Sequence, residues 1–137
     1  MVQQEVAERI CAKPGSRNYG ALSVWCQCHA SITYKLKVSP GSFSPPPKVY
    51  SAVLLFTPLS ENLLLKNRHE LKIILDLFFQ KRRKQLGSII RSSSFPVLLQ
   101  FLEDMNINLE LRPENLDPEQ YQYLANKLAE WRKTQKK

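Results

Sequence analysis

Two short segments hold the residues whose types and spacing could do chemistry. The first is Phe43-Ser44-Pro45-Pro46-Pro47-Lys48-Val49. Three consecutive prolines stiffen the chain into an extended form ahead of the next strand. An aromatic ring at the head of so rigid a loop can present its face to a nucleobase, and such stacking contributes about 1–3 kcal/mol. The same pattern also suits a proline-rich strand connector with Phe43 tucked into the core. The second segment is Lys81-Arg82-Arg83-Lys84. A basic run on a helix is usually a solvated face. Helical register places Arg82 four residues after Phe78 and seven after Leu75, on the apolar stripe. Arg82 then reads as a partly buried structural arginine that needs a carboxylate partner. Lys81, Arg83 and Lys84 point to other sides, and Lys81 and Lys84 are the better phosphate contacts.

Other chemistries find no support. Gly15, Gly20, Gly41 and Gly87 form no G-x-G, so there is no phosphate or nucleoside cradle of the dinucleotide or P-loop kind. The two histidines, His29 and His69, define no Ser/His/Asp set. Cys26, Cys28 and His29 lie close together, but no second ligand pair follows at zinc-site spacing. Packed free thiols are the better reading, and no metal is expected.

The elements that must position these residues sit in a chain of 137 residues, 43% of them hydrophobic, enough for a core. The formal net charge is +8 and the isoelectric point about 9.6, which points to a polyanionic partner, most simply nucleic acid. No apolar run approaches the roughly 20 residues of a membrane span. Glu5 and Glu8, with no long apolar stretch around them, read against a secretory signal. Cys11, Cys26 and Cys28 are too few and odd in number for a disulfide scaffold, so a reducing, cytoplasmic compartment is the simplest reading.

Residues 2–12 read as a short helix stopped by Lys13-Pro14-Gly15-Ser16, and residues 19–29 as a second one. Residues 31–38 alternate, with Ile32, Tyr34, Leu36 and Val38 on one side, as in a half-buried strand. Residues 50–56 are more continuously apolar and read as a more buried strand. Thr57-Pro58-Leu59-Ser60 looks like a linker, dividing the chain into 1–60 and 61–137. Beyond it the period becomes 3.6. A helix is expected over 67–92, with Leu71, Ile74, Leu75, Phe78, Leu86 and Ile89 on one stripe. Ile73 and Leu77 lie opposite that stripe, which suggests a central position in a bundle. A shorter helix is expected over 95–105. A last one opens with Asp117 at the N-cap, Pro118 at N1 and Gln120 at N3.

A two-stranded hairpin with two flanking helices is too small to bury its own faces. The first half therefore reads as the back end of a larger α/β sheet, followed by an all-helical part.

Several blocks, in order, resemble the ribosomal RNA adenine N6,N6-dimethyltransferase family of the KsgA type. They are Met1 to Arg9, then Tyr19-Gly20-Ala21-Leu22-Ser23-Val24 with Gln27. Next come Phe43 to Val49 with Ser51-Ala52-Val53, and Phe79 to Lys84. Last is Arg112-Pro113-Glu114-Asn115-Leu116 with Tyr121, Leu124 and Ala125. The resemblance spans nearly the whole chain but only the family's second half. It implies residues 1–60 as the C-terminal remnant of a Rossmann-like methyltransferase domain, including the target-base loop. It implies residues 61–137 as a helical, rRNA-binding C-terminal domain.

The resemblance further implies transfer of methyl groups from S-adenosylmethionine to two adjacent adenines near the 3′ end of small-subunit rRNA. Phe43 matches the family's aromatic that stacks on the flipped adenine. Pro45, Pro46, Pro47 and Lys48 would hold the loop in shape. Arg83 and Lys84, with Lys81, would face RNA. Tyr50 stands where an acidic residue is common, Ser88 where Asn is frequent, and Ala21 where a basic residue is common. The partner implied is the immature small subunit, met by a monomer without a membrane. This chain is expected to bind no cofactor and to be inactive alone. The alternative is a non-catalytic rRNA-binding fragment.

Overall fold

Val2 and Gln3 open the chain as a strand rather than as the first turn of a helix. The computed structural model describes residues 1–42, 45, 48–60 and 66–135. They fall into two compact units, Met1–Leu64 and Leu65–Lys137.

In the first unit, β1 (Val2–Gln3) leads into α1 (Gln4–Ile10), followed by α2 (Ala21–His29), β2 (Ala30–Val38) and β3 (Ser51–Pro58). Among the described residues the strands form one antiparallel sheet in the order β1-β3-β2. The expected helix over 2–12 is shorter because Val2 pairs with Ala52 and Gln3 with Ser51. Gln3 is extended, with φ −63° and ψ 148°, and the Gln4 amide donates to the Tyr50 carbonyl at 2.9 Å. Pairing with a strand fifty residues away overrides local helix preference.

The alternation expected along β2 is broken. Tyr34 lies opposite Leu54 and Leu36 opposite Val53, which leaves Lys35 as the extra residue of a β-bulge. One inserted residue reverses the side-chain phase. Tyr34 thus shares a face with Lys37, which lies opposite Ala52, while Leu36 lies on the other face. β3 is also less buried than its apolar run suggests. Ala52 is fully buried, but Leu55 and Phe56 are 46% and 47% exposed. The two short helices of this unit cover too little area to bury both faces of β3.

The α1–α2 packing rests on polar clamps as well as on Ala7, Ile10, Tyr19, Val24 and Cys28. Buried Ser23 donates its hydroxyl to the Arg9 carbonyl and accepts the Gly20 amide at 3.1 Å. Gln27 Nε2 donates to both the Ile10 and Ala12 carbonyls at 2.8 Å. The Ile10 carbonyl is an orphan acceptor at the end of α1 and the Ala12 carbonyl lies just beyond it; such groups must find donors when a helix terminus is packed.

The second unit is helical: α3 (Arg68–Phe79), α4 (Leu86–Arg91), α5 (Leu98–Asp104) and α6 (Pro118–Gln135). Leu71, Ile74, Leu75 and Phe78 of α3 meet a core completed by Leu86, Ile89, Leu98, Leu102, Tyr121, Leu124 and Leu128. Ile73 and Leu77 remain partly exposed, so α3 is not central. The capping box of α6 is reciprocal: the Gln120 amide donates to Asp117 Oδ1 at 2.8 Å, and the Asp117 amide to Gln120 Oε1 at 2.9 Å.

The single helix expected over 67–92 is two helices separated by a turn. After the break the Leu86 amide donates to the Leu111 carbonyl at 2.7 Å and the Gly87 amide to Leu109 at 3.0 Å. That pairing is between segments more than twenty residues apart, so hydrophobic period could not reveal it. Gly87 has a local reason: a Cβ there would lie 3.1 Å from Arg91 Nη1 and 3.3 Å from Leu109 Cβ.

Candidate nucleic-acid interface

The basic run lies on the turn between α3 and α4. Its backbone is closed by the Lys81 amide donating to Phe78 at 3.2 Å and the Lys84 amide to Lys81 at 2.9 Å. The turn borders a shallow depression of about 350 Å³, open to solvent and lined by Phe79, Gln80, Lys81, Arg82, Arg83 and Lys84. Lys81, Arg83 and Lys84 are exposed. Helical-face arithmetic therefore does not apply to this segment, and the placement of Arg82 on an apolar helical stripe is corrected. Arg82 nevertheless meets a carboxylate: Nη2 lies 3.3 Å from Glu114 Oε2.

Glu114 is itself held in place. It sits in a short 3-10 turn, Pro113–Asn115, closed by the Arg112 amide donating to Asn115 Oδ1 at 2.9 Å. The buried Tyr121 hydroxyl donates to the Pro113 carbonyl at 2.6 Å. The Tyr121 ring packs 6.0 Å from those of both Phe78 and Phe79. Core aromatics, the Glu114 turn and the basic turn thus form one connected support. The sequence offered Arg82, Glu114 and Tyr121 as separate positions, with no signal that they converge.

Of the predicted target-base loop, Pro45 and Lys48 are exposed. Phe43, Pro46 and Pro47 lie outside the described residues. The loop leaves β2 through a 3-10 turn at Pro40–Ser42 and rejoins the sheet at Tyr50. Lys37 Nζ stands 4.3 Å from the centroid of the Tyr50 ring. Sequence reasoning did not pair these two residues.

Among the described residues no three His, Cys, Asp or Glu side chains come together as metal ligands. Burial raises the Cys11 thiol above its ordinary range. Burial, and secondarily the neighbouring Cys11, raises Cys26. Cys28 is fully buried. Such thiols are poorly nucleophilic. An S-adenosylmethionine site needs close backbone approach at a glycine turn. Gly15, with φ +84°, and Gly41 have nothing within 4 Å of a Cβ position, and Gly87 faces Leu109 and Arg91. None of these three glycines makes such a close backbone approach. No helix among the described residues is long and apolar enough to cross a membrane.

Comparison with known proteins accounts for this combination. The ribosomal RNA small subunit methyltransferase A of Maridesulfovibrio salexigens is 44% identical over 124 residues, 90% of this chain and 47% of that protein. That of Crocosphaera subtropica is 42% identical over 127 residues, 92% of this chain and 47% of its own. The chain spans about half the length of the curated relatives it matches. The crystal structure of a dimethyladenosine transferase from Plasmodium falciparum superposes with a TM-score of 0.80 at 27% identity, covering 93% of this chain and 56% of that one. The 23S rRNA methyltransferase ErmE shares the fold, with a TM-score of 0.56 at 22% identity. Residues 1–130 match the ribosomal RNA adenine dimethylase family, which takes in both the sheet unit and the helical unit with its basic turn, and the chain belongs to that family.

Proposed function

We propose that this chain is the target-recognition part of an S-adenosylmethionine-dependent rRNA adenine dimethyltransferase. In this reading the substrate is two adjacent adenines near the 3′ end of small-subunit rRNA, met in an immature small subunit in the cytoplasm by a monomeric enzyme. The observation that carries the RNA-binding part is the basic turn at Phe79–Lys84. Four consecutive cations line one open depression, and Arg82 is tied back to Glu114 while Lys81, Arg83 and Lys84 stay exposed. Such a turn holds phosphates at a fixed spacing and lends affinity without reading sequence. Relatives named as small-subunit rRNA methyltransferases support the substrate class.

The work of this part is positioning. Taking an adenine out of its stack costs a few kcal/mol. Phe43 offsets part of that by stacking on the extruded base, with Pro45, Pro46, Pro47 and Lys48 fixing the loop. Holding the exocyclic amine in line converts a bimolecular encounter into a positioned one. The chain by itself binds no S-adenosylmethionine and is inactive alone.

The test is a fusion of this chain to the N-terminal half of the Maridesulfovibrio salexigens relative, assayed for methyl transfer to unmethylated small subunits. The fusion is expected to methylate. Phe43→Ala should abolish most of the activity with little change in melting. Phe43→Tyr and Phe43→Trp should retain much of it, because stacking needs a flat π-face. A fusion that binds rRNA yet never methylates would favour the non-catalytic RNA-binding reading.

A further inference from the structure

Between Glu8 and Glu61 the sequence contains no Asp or Glu, while Arg9, Lys13, Arg17, Lys35, Lys37 and Lys48 fall within that stretch. The β2–β3 hairpin and its loop therefore carry positive charge that no carboxylate of their own offsets. Among the described residues no ion pair engages Lys35, Lys37 or Lys48. Lys37 instead stands over the Tyr50 ring at 4.3 Å. An ammonium on an aromatic face is a modest, partly hydrated contact that a phosphate can outcompete.

Tyr50 is placed with care for a residue at a loop's end. Its carbonyl accepts the Gln4 amide at 2.9 Å, and the Gln4 side chain accepts the Tyr34 hydroxyl at 2.7 Å. The root of α1, the end of the loop and β2 are thus joined at one point. The Tyr50 backbone is fixed, yet 46% of the residue is exposed, and Tyr34 is 39% exposed. A pre-set, half-exposed aromatic beside an available ammonium is the pairing that single-stranded nucleic acid uses: a base on the ring, the adjoining phosphate on the cation. A membrane surface would call for an amphipathic helix instead, which this hairpin is not.

We propose that Tyr50 and Lys37 form a second RNA contact, in which an unpaired base takes the place of Lys37 on the face of the Tyr50 ring and the displaced Lys37 ammonium takes the neighbouring phosphate. This rests on the RNA-binding reading above and deepens it by naming a single-stranded segment as the ligand of the sheet unit. Because every base has a π-face, the contact tolerates sequence and prefers single strands over duplex.

The experiment measures binding of the full chain to a labelled 12-nucleotide single-stranded oligoribonucleotide, to a 12-base-pair RNA duplex and to anionic phospholipid vesicles, across a salt series. Tyr50→Leu keeps bulk but removes the π-face, and should weaken single-strand binding about ten-fold while leaving the duplex unaffected. Tyr50→Trp should retain binding. Lys37→Ala should weaken it and flatten its salt slope by about 0.7. Lys81→Ala with Lys84→Ala serves as the reference in the helical unit, and thermal melts confirm that each variant folds. If the wild type binds RNA and the Lys81/Lys84 variant weakens it, but Tyr50→Leu and Lys37→Ala are silent, this proposal alone fails. If the wild type binds neither RNA, the RNA-binding reading fails and takes this contact with it. Binding to vesicles but not to RNA would also overturn the proposal.

Discussion

Arg82 and Glu114, thirty-two positions apart, meet at 3.3 Å where the basic turn leans on the 3-10 turn before α6. Their side chains are 37% and 26% exposed, so solvent screens the pair only in part. The contact makes Arg82 different in kind from its three cationic neighbours. Arg82→Ala should destabilise the helical unit by about 1 kcal/mol, lowering the melting temperature by roughly 4–8 °C. Glu114→Gln should have a similar effect, and the double variant little more than either alone. Thermal melts of the three variants decide it; additive losses would mean the two residues act separately.

Lys81 and Lys84 should behave in the opposite way. Replacing both by Ala should leave the melt within about 0.5 kcal/mol of the wild type. The slope of log affinity for structured rRNA fragments against log salt should become shallower by about 2, since each lost phosphate contact releases roughly one counterion fewer. Filter binding across roughly 50–200 mM salt reads the slope directly. An unchanged slope would remove the turn from the RNA interface.

Ser23 and Gln27 clamp the end of α1. Gln27→Leu leaves the Ile10 and Ala12 carbonyls without their amide donor and should cost about 1–3 kcal/mol in the sheet unit. Ser23→Ala should cost a comparable amount, because it strips one donor from Arg9 and one acceptor from Gly20. Amide hydrogen exchange of α1 is the readout. Faster exchange confined to α1 and α2 is expected, and unchanged protection would count against the clamp.

Gly87→Ala should fail to deliver the roughly 1 kcal/mol that a helical Gly→Ala change otherwise gains, because a methyl would sit 3.3 Å from Leu109 Cβ and 3.1 Å from Arg91 Nη1. The Arg91 side chain can swing away, whereas Leu109 is tied through its backbone to residue 87. Denaturant melts of Gly87→Ala in the wild type and in an Arg91→Ala background separate the two contacts. Recovery of the full gain in the second background would put the whole cost on the arginine.

The cysteines give a pH-dependent test. Burial holds the Cys26 thiol above its ordinary range, so at pH 8 its thiolate fraction in the folded chain is below that of an unfolded peptide. Iodoacetamide should label Cys26 slowly at pH 8 and faster as pH rises, and denaturant should remove the difference. The stability linked to this thiol is complete below the unfolded thiol pKa and is lost as pH rises through the folded one. Equal labelling rates in folded and unfolded chains would contradict that placement.

Sequence alone determined what depends on local chemistry. Asp117, Pro118 and Gln120 announced the start of α6 because a capping box closes within four residues. The helical period over 71–78 and the strand character of β2 and β3 were legible for the same reason. So were the charge and the family, the latter through ordered blocks such as Phe43–Val49 and Phe79–Lys84. Tertiary structure decided what depends on partners far along the chain. Val2 and Gln3 are a strand because β3 pairs with them, and Leu36 changes face because one residue, Lys35, bulges against β3. The helix expected through Lys81–Lys84 breaks where residues 86–87 pair with 109–111 and where Arg82 meets Glu114. Each of these is a contact of long sequence separation. Its energy enters only once loop closure has been overcome, and a local window carries no trace of it.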